Sequence, residues 1–223
     1  LDLSETKTQL LAIVANLRGA EEACRFPEIA FLGYPLSVSE TFQQRNTNRS
    51  IAAALDDLGR IQEACEKAEK TLIVYLSMGF GNPYGDPYSP TLTVEFTGEL
   101  ADGGVRVVAP SDTVGTATPE AISALFSELI PAFPGIEFGA HLHSRPDEVE
   151  EKVAAAFAAG VRRMDGALRG FGGCPMANDT LTGNLPTERV AAWLTGRGVE
   201  LGLDEAAFAE AMAFSGKVFE REP

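Results

Sequence analysis

Six short runs of aliphatic and β-branched residues punctuate the chain: LLAIVANL (10–17), IAFLGYPLS (29–37), TLIVYLSM (71–78), VRVVAPSD (105–112), IEFGAHLH (136–143) and VRRMDGAL (161–168). They read as strands buried on both faces of a parallel sheet. The segments NRSIAAALDDLGRIQEACEKAEK (48–70), TPEAISALFSELI (118–130) and RPDEVEEKVAAAFAAG (145–160) carry helical patterns instead. Each has a start signal, with Ser50, Thr118 or Ser144 near the first turn and acidic residues just inside it. Strands alternating with helices predict a right-handed α/β wind, either an open sheet or a barrel.

The residues that follow the strand runs separate those two architectures. Nearly every run leads into a stretch too polar or too rich in glycine for a mere turn: ANLRG, SVSETFQQRN, SMGFGNPYGDPYSP, PSDTVGTATP, HLHSRPD and RGFGGCPMANDTLTGN. In a barrel such loops all converge on one mouth, whereas in an open sheet only those at the switch point would be so decorated. The pattern predicts a TIM (β/α)8 barrel of which six β/α units are present, the ones that the family resemblance given below makes strands 3 to 8. No composition shift, charge run or low-complexity segment marks a boundary, so residues 1–223 read as one partial barrel domain.

Composition narrows the setting. The 223 residues are 45% hydrophobic, enough for a sizeable core. A net charge of -14 argues against nucleic acid or an anionic membrane surface as partner, because both require positive surface. An anionic small substrate would need a locally basic pocket. Three cysteines, Cys24, Cys65 and Cys174, are an odd number in a chain too large to need staples, which suggests reduced thiols. No apolar run approaches a membrane span, and LDLSETKTQL is no signal sequence; the chain reads as cytoplasmic.

Both histidines of the chain fall in HLH, as His141 and His143. On a strand this spacing puts both rings on one face, where they can converge on an ion or form a satisfied polar pair. Asp112, at the end of the fourth run, suits an Asx-turn or helix cap, or a carboxylate beside a divalent metal. Cys174 sits between two glycines and a proline, where backbone can approach a ligand and bend as a lid. That setting favours reactivity, whereas Cys24 and Cys65 lie in helical patterns and read as small buried hydrophobes. Asn184 offers an amide oxygen to a hard metal, or merely completes a turn with Gly183.

The segments SDTVGTATP, HLH and above all GGCP followed by TGNLPTE resemble the 3-hydroxy-3-methylglutaryl-CoA lyases, members of the metal-dependent TIM-barrel lyases and aldol-type synthases. The resemblance runs from LLAIVANLRGAEEA to the TERV helix. It implies Mg²⁺ or Mn²⁺ held by His141, His143 and Asn184, with Asp112 an active-site carboxylate. Cys174 would be the acid/base and His141 a proton carrier, with substrate contacts at Asn16, Gly172 and Gly173. The implied substrate is an acyl-CoA thioester, cleaved to acetyl-CoA and acetoacetate, and the complete protein would be a homodimer.

The chain also departs from that family. Ser144, Arg145 and Pro146 follow the histidines where Asp-Thr is usual, and the segment from Cys174 to Asn184 is one residue longer. The family's first strands, with an Asp ligand, an Arg and a Glu, have no counterpart. About 60 to 90 preceding residues are therefore expected relative to a whole barrel, and the 223 residues alone are expected to aggregate or to lack lyase activity. Two alternatives stand beside the lyase: an acyl-CoA-dependent 2-oxo acid synthase of isopropylmalate or citramalate type, and a non-catalytic barrel remnant.

Overall fold

All six apolar runs form strands of one parallel sheet whose spatial order follows the chain order. The computed structural model describes residues 2–173 and 182–219. The strands are β1 (Leu10–Ile13), β2 (Ile29–Ser37), β3 (Thr71–Ser77), β4 (Val107–Asp112), β5 (Glu137–Leu142) and β6 (Arg163–Met164). Helices α1 (Leu17–Ala23), α2 (Glu40–Thr47), α3 (Ile51–Lys67), α4 (Pro90–Asp102), α5 (Pro119–Ala132) and α6 (Val149–Ala158) provide the crossovers. Beyond β6 come α7 (Thr187–Thr195) and α8 (Glu205–Phe219). Consecutive parallel strands joined by helical crossovers make this a partial TIM barrel, a half-barrel of six β/α units.

The apolar runs become strands because their residues are buried from both sides. Leu32, Leu36, Val74 and Leu76 are wholly inaccessible, and Ile61 of α3 and Phe126 of α5 lie equally deep. Three boundaries differ from the hydrophobic pattern, each through a local polar group. The first run yields only β1, because the Asn16 side chain accepts from the Gly19 amide at 3.0 Å and begins α1. The loop expected at SVSETFQQRN contains α2, capped by Ser39 and closed by Asn48 in the left-handed region at φ 55°. The last run keeps two strand residues, pairing Gly139 with Arg163 and Ala140 with Met164, before Asp165 and Gly166 turn away.

Edge strands β1 and β6 leave part of the inner face uncovered. Leu11 and Ile13 of β1 are 36% and 63% exposed and border the interior cavity with Pro35 and Tyr75. Gly33 makes this packing possible, since a Cβ there would lie 2.5 Å from the Ile13 Cδ1 and 2.8 Å from the Tyr75 Cε2. Ile13 can yield, but the Tyr75 ring is held in the sheet. Gly33→Ala is therefore expected to cost about 1–3 kcal/mol, measured as a lower midpoint of urea unfolding at unchanged slope. Among the described residues no helix is long and apolar enough to cross a membrane.

Candidate active site

A cavity of about 510 Å³ opens at the carboxyl ends of the strands, where β/α loops of a barrel converge. One side is apolar, formed by Leu11, Ile13, Pro35 and Phe42. The other presents Ser77, Ser111 and Thr113 together with His141, His143 and Asp165. Both imidazoles thus face the same space, their ring centroids 5.4 Å apart. The register of β4 with β5 sets Ser111 beside His141.

The hydrogen bonds of the rings fix which nitrogen remains available. His143 Nδ1 lies 2.9 Å from the Thr182 carbonyl oxygen, which can only accept, so Nδ1 carries the proton. His141 Nδ1 lies 3.2 Å from Asp165 Oδ2, and the carboxylate selects the same tautomer. Each ring is left with an Nε2 lone pair for a ligand. Burial, the largest influence, holds the pKa of His143 below its ordinary value and favours neutral imidazole.

Asp165 was not singled out by sequence reading, although its place at the carboxyl end of the last strand run was the available signal. Its amide donates to the Ala140 carbonyl at 3.1 Å, extending the β5–β6 ladder and bringing its carboxylate to His141. Tyr75 crosses the His141 ring edge-on at 5.4 Å, with its hydroxyl under the influence of the Asp165 carboxylate. Burial and then the Asp165 charge push the Tyr75 hydroxyl above its usual pKa, keeping it a donor. A carboxylate behind an imidazole is how ligand histidines are commonly oriented. Asp165→Asn is expected to weaken Mn²⁺ binding about 10- to 100-fold, read by electron paramagnetic resonance of free Mn²⁺.

The other sequence-predicted residues fall in different places. Asn184 forms an antiparallel bridge with His143, and its Nδ2 donates to the Phe171 carbonyl at 2.8 Å. That leaves Oδ1 as the acceptor. Gly172, at φ +92°, leaves room for this amide, for a Cβ there would lie 2.9 Å from Asn184 Nδ2. Gly173 is half-buried beside it, and Cys174 lies outside the described residues. Asn16 caps α1 and does not line the cavity.

Asp112 also lies behind the cavity wall, 1% exposed. Its Oδ1 accepts from the Thr116 and Ala117 amides at 2.9 and 3.1 Å, forming the turn into α5. Its Oδ2 meets the Nζ of Lys152 at 3.0 Å. Sequence reading passed over Lys152, yet it occupies the apolar stripe of α6 with Val149, Val153 and Ala156, all buried. A lysine in such a stripe signals a buried partner. Removing one member of a buried ion pair costs about 3–5 kcal/mol.

Among the described residues, no three His, Cys, Asp or Glu side chains cluster closely enough to enclose an ion. Two available imidazole nitrogens on one cavity wall, with Asn184 bridged through its backbone to His143, fit an open site that further oxygens from substrate or water would complete around a hard cation. The remaining thiols point elsewhere: Cys24 Sγ contacts the Ala64 carbonyl at 3.8 Å, and burial pushes Cys65 up to about 12. In native protein Cys65 is expected to resist a disulfide reagent at pH 8 until denaturant is added. Mass spectrometry of labelled peptides checks this.

Residues 5–214 match the family profile described as HMGL-like. The mitochondrial hydroxymethylglutaryl-CoA lyase of Bos taurus is 31% identical over 204 residues, covering 91% of this chain and 62% of that protein. A hydroxymethylglutaryl-CoA lyase of Bacillus subtilis (strain 168) is 29% identical over 191 residues, covering 82% of this chain and 60% of its own length. The chain thus spans about three fifths of the curated relatives it matches. The crystal structure of the HMG-CoA lyase from Bacillus subtilis superposes with a TM-score of 0.87 at 26% identity, over 96% of this chain and 72% of that one.

Proposed function

The chain belongs to the HMGL-like family, and on that premise we propose that it serves a carbon–carbon lyase reaction. The reading is cleavage of 3-hydroxy-3-methylglutaryl-CoA, or a close 3-hydroxyacyl-CoA, to acetyl-CoA and acetoacetate. One observation carries it beyond family membership: His141 and His143 both have Nδ1 engaged and share one cavity wall, so each offers Nε2 to the same ligand.

Breaking the C2–C3 bond of a 3-hydroxyacyl thioester requires loss of the C3 hydroxyl proton and gain of a proton at C2. Mg²⁺ or Mn²⁺, held by His141, His143 and the Asn184 amide oxygen, would polarise the hydroxyl and acyl oxygens. Asp165 holds His141 in the tautomer that leaves Nε2 free to carry a proton when it is not a ligand. Cys174 is assigned the donor to C2, because a thiol is the side chain there that can give up and regain a proton. The bare backbone of Gly172 and Gly173 admits the acyl thioester, while Pro35 and the buried Phe42 give the cavity an apolar wall beside the carbon skeleton. Asp112 supports the turn into α5, and Asn16 the start of α1.

The acyl-CoA thioester is the expected partner, and the complete protein is expected to be a homodimer. The test supplies the gene product containing this chain with 3-hydroxy-3-methylglutaryl-CoA and Mg²⁺. Equimolar acetyl-CoA and acetoacetate, lost on chelation, is the expected result. Intact thioester, or condensation of acetyl-CoA with a 2-oxo acid instead, would overturn the reading.

A further inference from the structure

Lys152 is 2% exposed, and the reaction proposed above leaves it without a part. An ammonium has three N–H donors, and each has an acceptor here: Asp112 Oδ2 at 3.0 Å, the Gly115 carbonyl at 3.1 Å and the His143 carbonyl at 2.8 Å. Those acceptors belong to the end of β4, the loop into α5 and the first residue beyond β5, while the lysine comes from α6. Asp112 passes the restraint on through the two amides bound to its other oxygen. One side chain therefore joins four segments at the point where His143 leaves the sheet.

Stability alone accounts poorly for this arrangement. A buried ion pair often contributes no more than apolar side chains of similar volume, and Lys152 has apolar neighbours along its own helix face. What an apolar residue could not do is grip the His143 carbonyl. His141 has other restraints: it lies within β5, beside Ser111, with Asp165 on its ring. His143 lies past the last strand residue, and its ring and backbone contacts reach Thr182 and Asn184 in the segment before α7.

We propose that Lys152 is a positioning residue of the histidine site, holding the main chain at His143 so that its Nε2 stays directed at the ligand it shares with His141. The proposal rests on the reading of the two histidines as a ligand pair. It requires that loss of Lys152 disturb His143 and spare His141.

His141 and His143 are the two histidines of these 223 residues, and long-range ¹H–¹⁵N spectra of the gene product containing them, assigned with His141→Gln and His143→Gln, follow each imidazole separately. Two variants are compared with the parent protein: Lys152→Met, and the neutral pair Asp112→Asn with Lys152→Gln, which removes both buried charges and leaves Glu148, 3.9 Å from the Lys152 ammonium in the parent, paired with Arg145. In both, the His143 signals are expected to shift or to show both tautomers while those of His141 stay in place. Mn²⁺ alone should bind about 10- to 100-fold more weakly. Folded variants with unmoved His143 signals and parental Mn²⁺ affinity would overturn the proposal, as would equal displacement of both histidines. Failure of the parent protein to bind Mn²⁺ would instead remove the ligand-pair reading, and the imidazole signals alone would then decide whether Lys152 places His143.

Discussion

His143→Ala is expected to lower the affinity for Mn²⁺ or Mg²⁺ by more than about 100-fold, because it removes a ligand outright, whereas loss of a residue behind a ligand costs about 10- to 100-fold. The effect should be large for geometric reasons. His143 is 4% exposed, its Nδ1 is committed to the Thr182 carbonyl, and no other described imidazole, thiol or carboxylate completes a cluster there. Water cannot replace the rigidly held nitrogen at equal strength. Turnover in the whole gene product should fall with the affinity, and saturating Mg²⁺ should restore little of it. Unchanged metal affinity and turnover would take His143 out of the site.

The second large effect belongs to Cys174. Cys174→Ser exchanges a thiol for a hydroxyl that does not ionise in the working range of an enzyme. Loss of a positioned general acid or base costs about 10²- to 10⁴-fold, and turnover is expected to fall within that range. Mn²⁺ affinity and the unfolding midpoint should stay at parental values. Steady-state kinetics beside metal titration separates the two effects: equal loss of both would mark Cys174 as a contributor to the metal site, and loss of neither would end its assignment.

The sequence made the strands legible because a sheet covered by helices requires apolar residues on both faces. Runs such as TLIVYLSM have few other uses. Helix α2 was illegible for the opposite reason. Its eight residues bury only Phe42 and Gln43, and its start is held by a residue far along the chain. Asp86 accepts from the Thr41 amide at 2.9 Å and from Ser39 Oγ at 2.6 Å. The Ser39 cap is local, accepting from the Phe42 amide at 3.1 Å, but no local pattern reveals the carboxylate that braces it from across the fold.

The site divides in the same way. His141 and His143 were visible because two imidazoles at strand spacing need no third element to share a face. Asp165 and Lys152 were not, since their meaning comes from what they meet: His141 across the β5–β6 register, and the ends of β4 and β5 from α6. Asp112, too, meets partners that no local pattern names. The sequence allowed a turn or an active-site carboxylate, and Lys152 together with two backbone amides engages both of its oxygens behind the cavity.

That His141 and His143 present Nε2 to one shared cation is tested most directly by adding Mn²⁺ to ¹⁵N-labelled protein and following its imidazole signals. Paramagnetic relaxation erases signals within roughly a nanometre of the ion, so the account predicts that both histidines vanish together at low Mn²⁺ and return on chelation, along with little change at the far ends of the strands. Imidazole signals that persist for either histidine while Mn²⁺ binds elsewhere would contradict it.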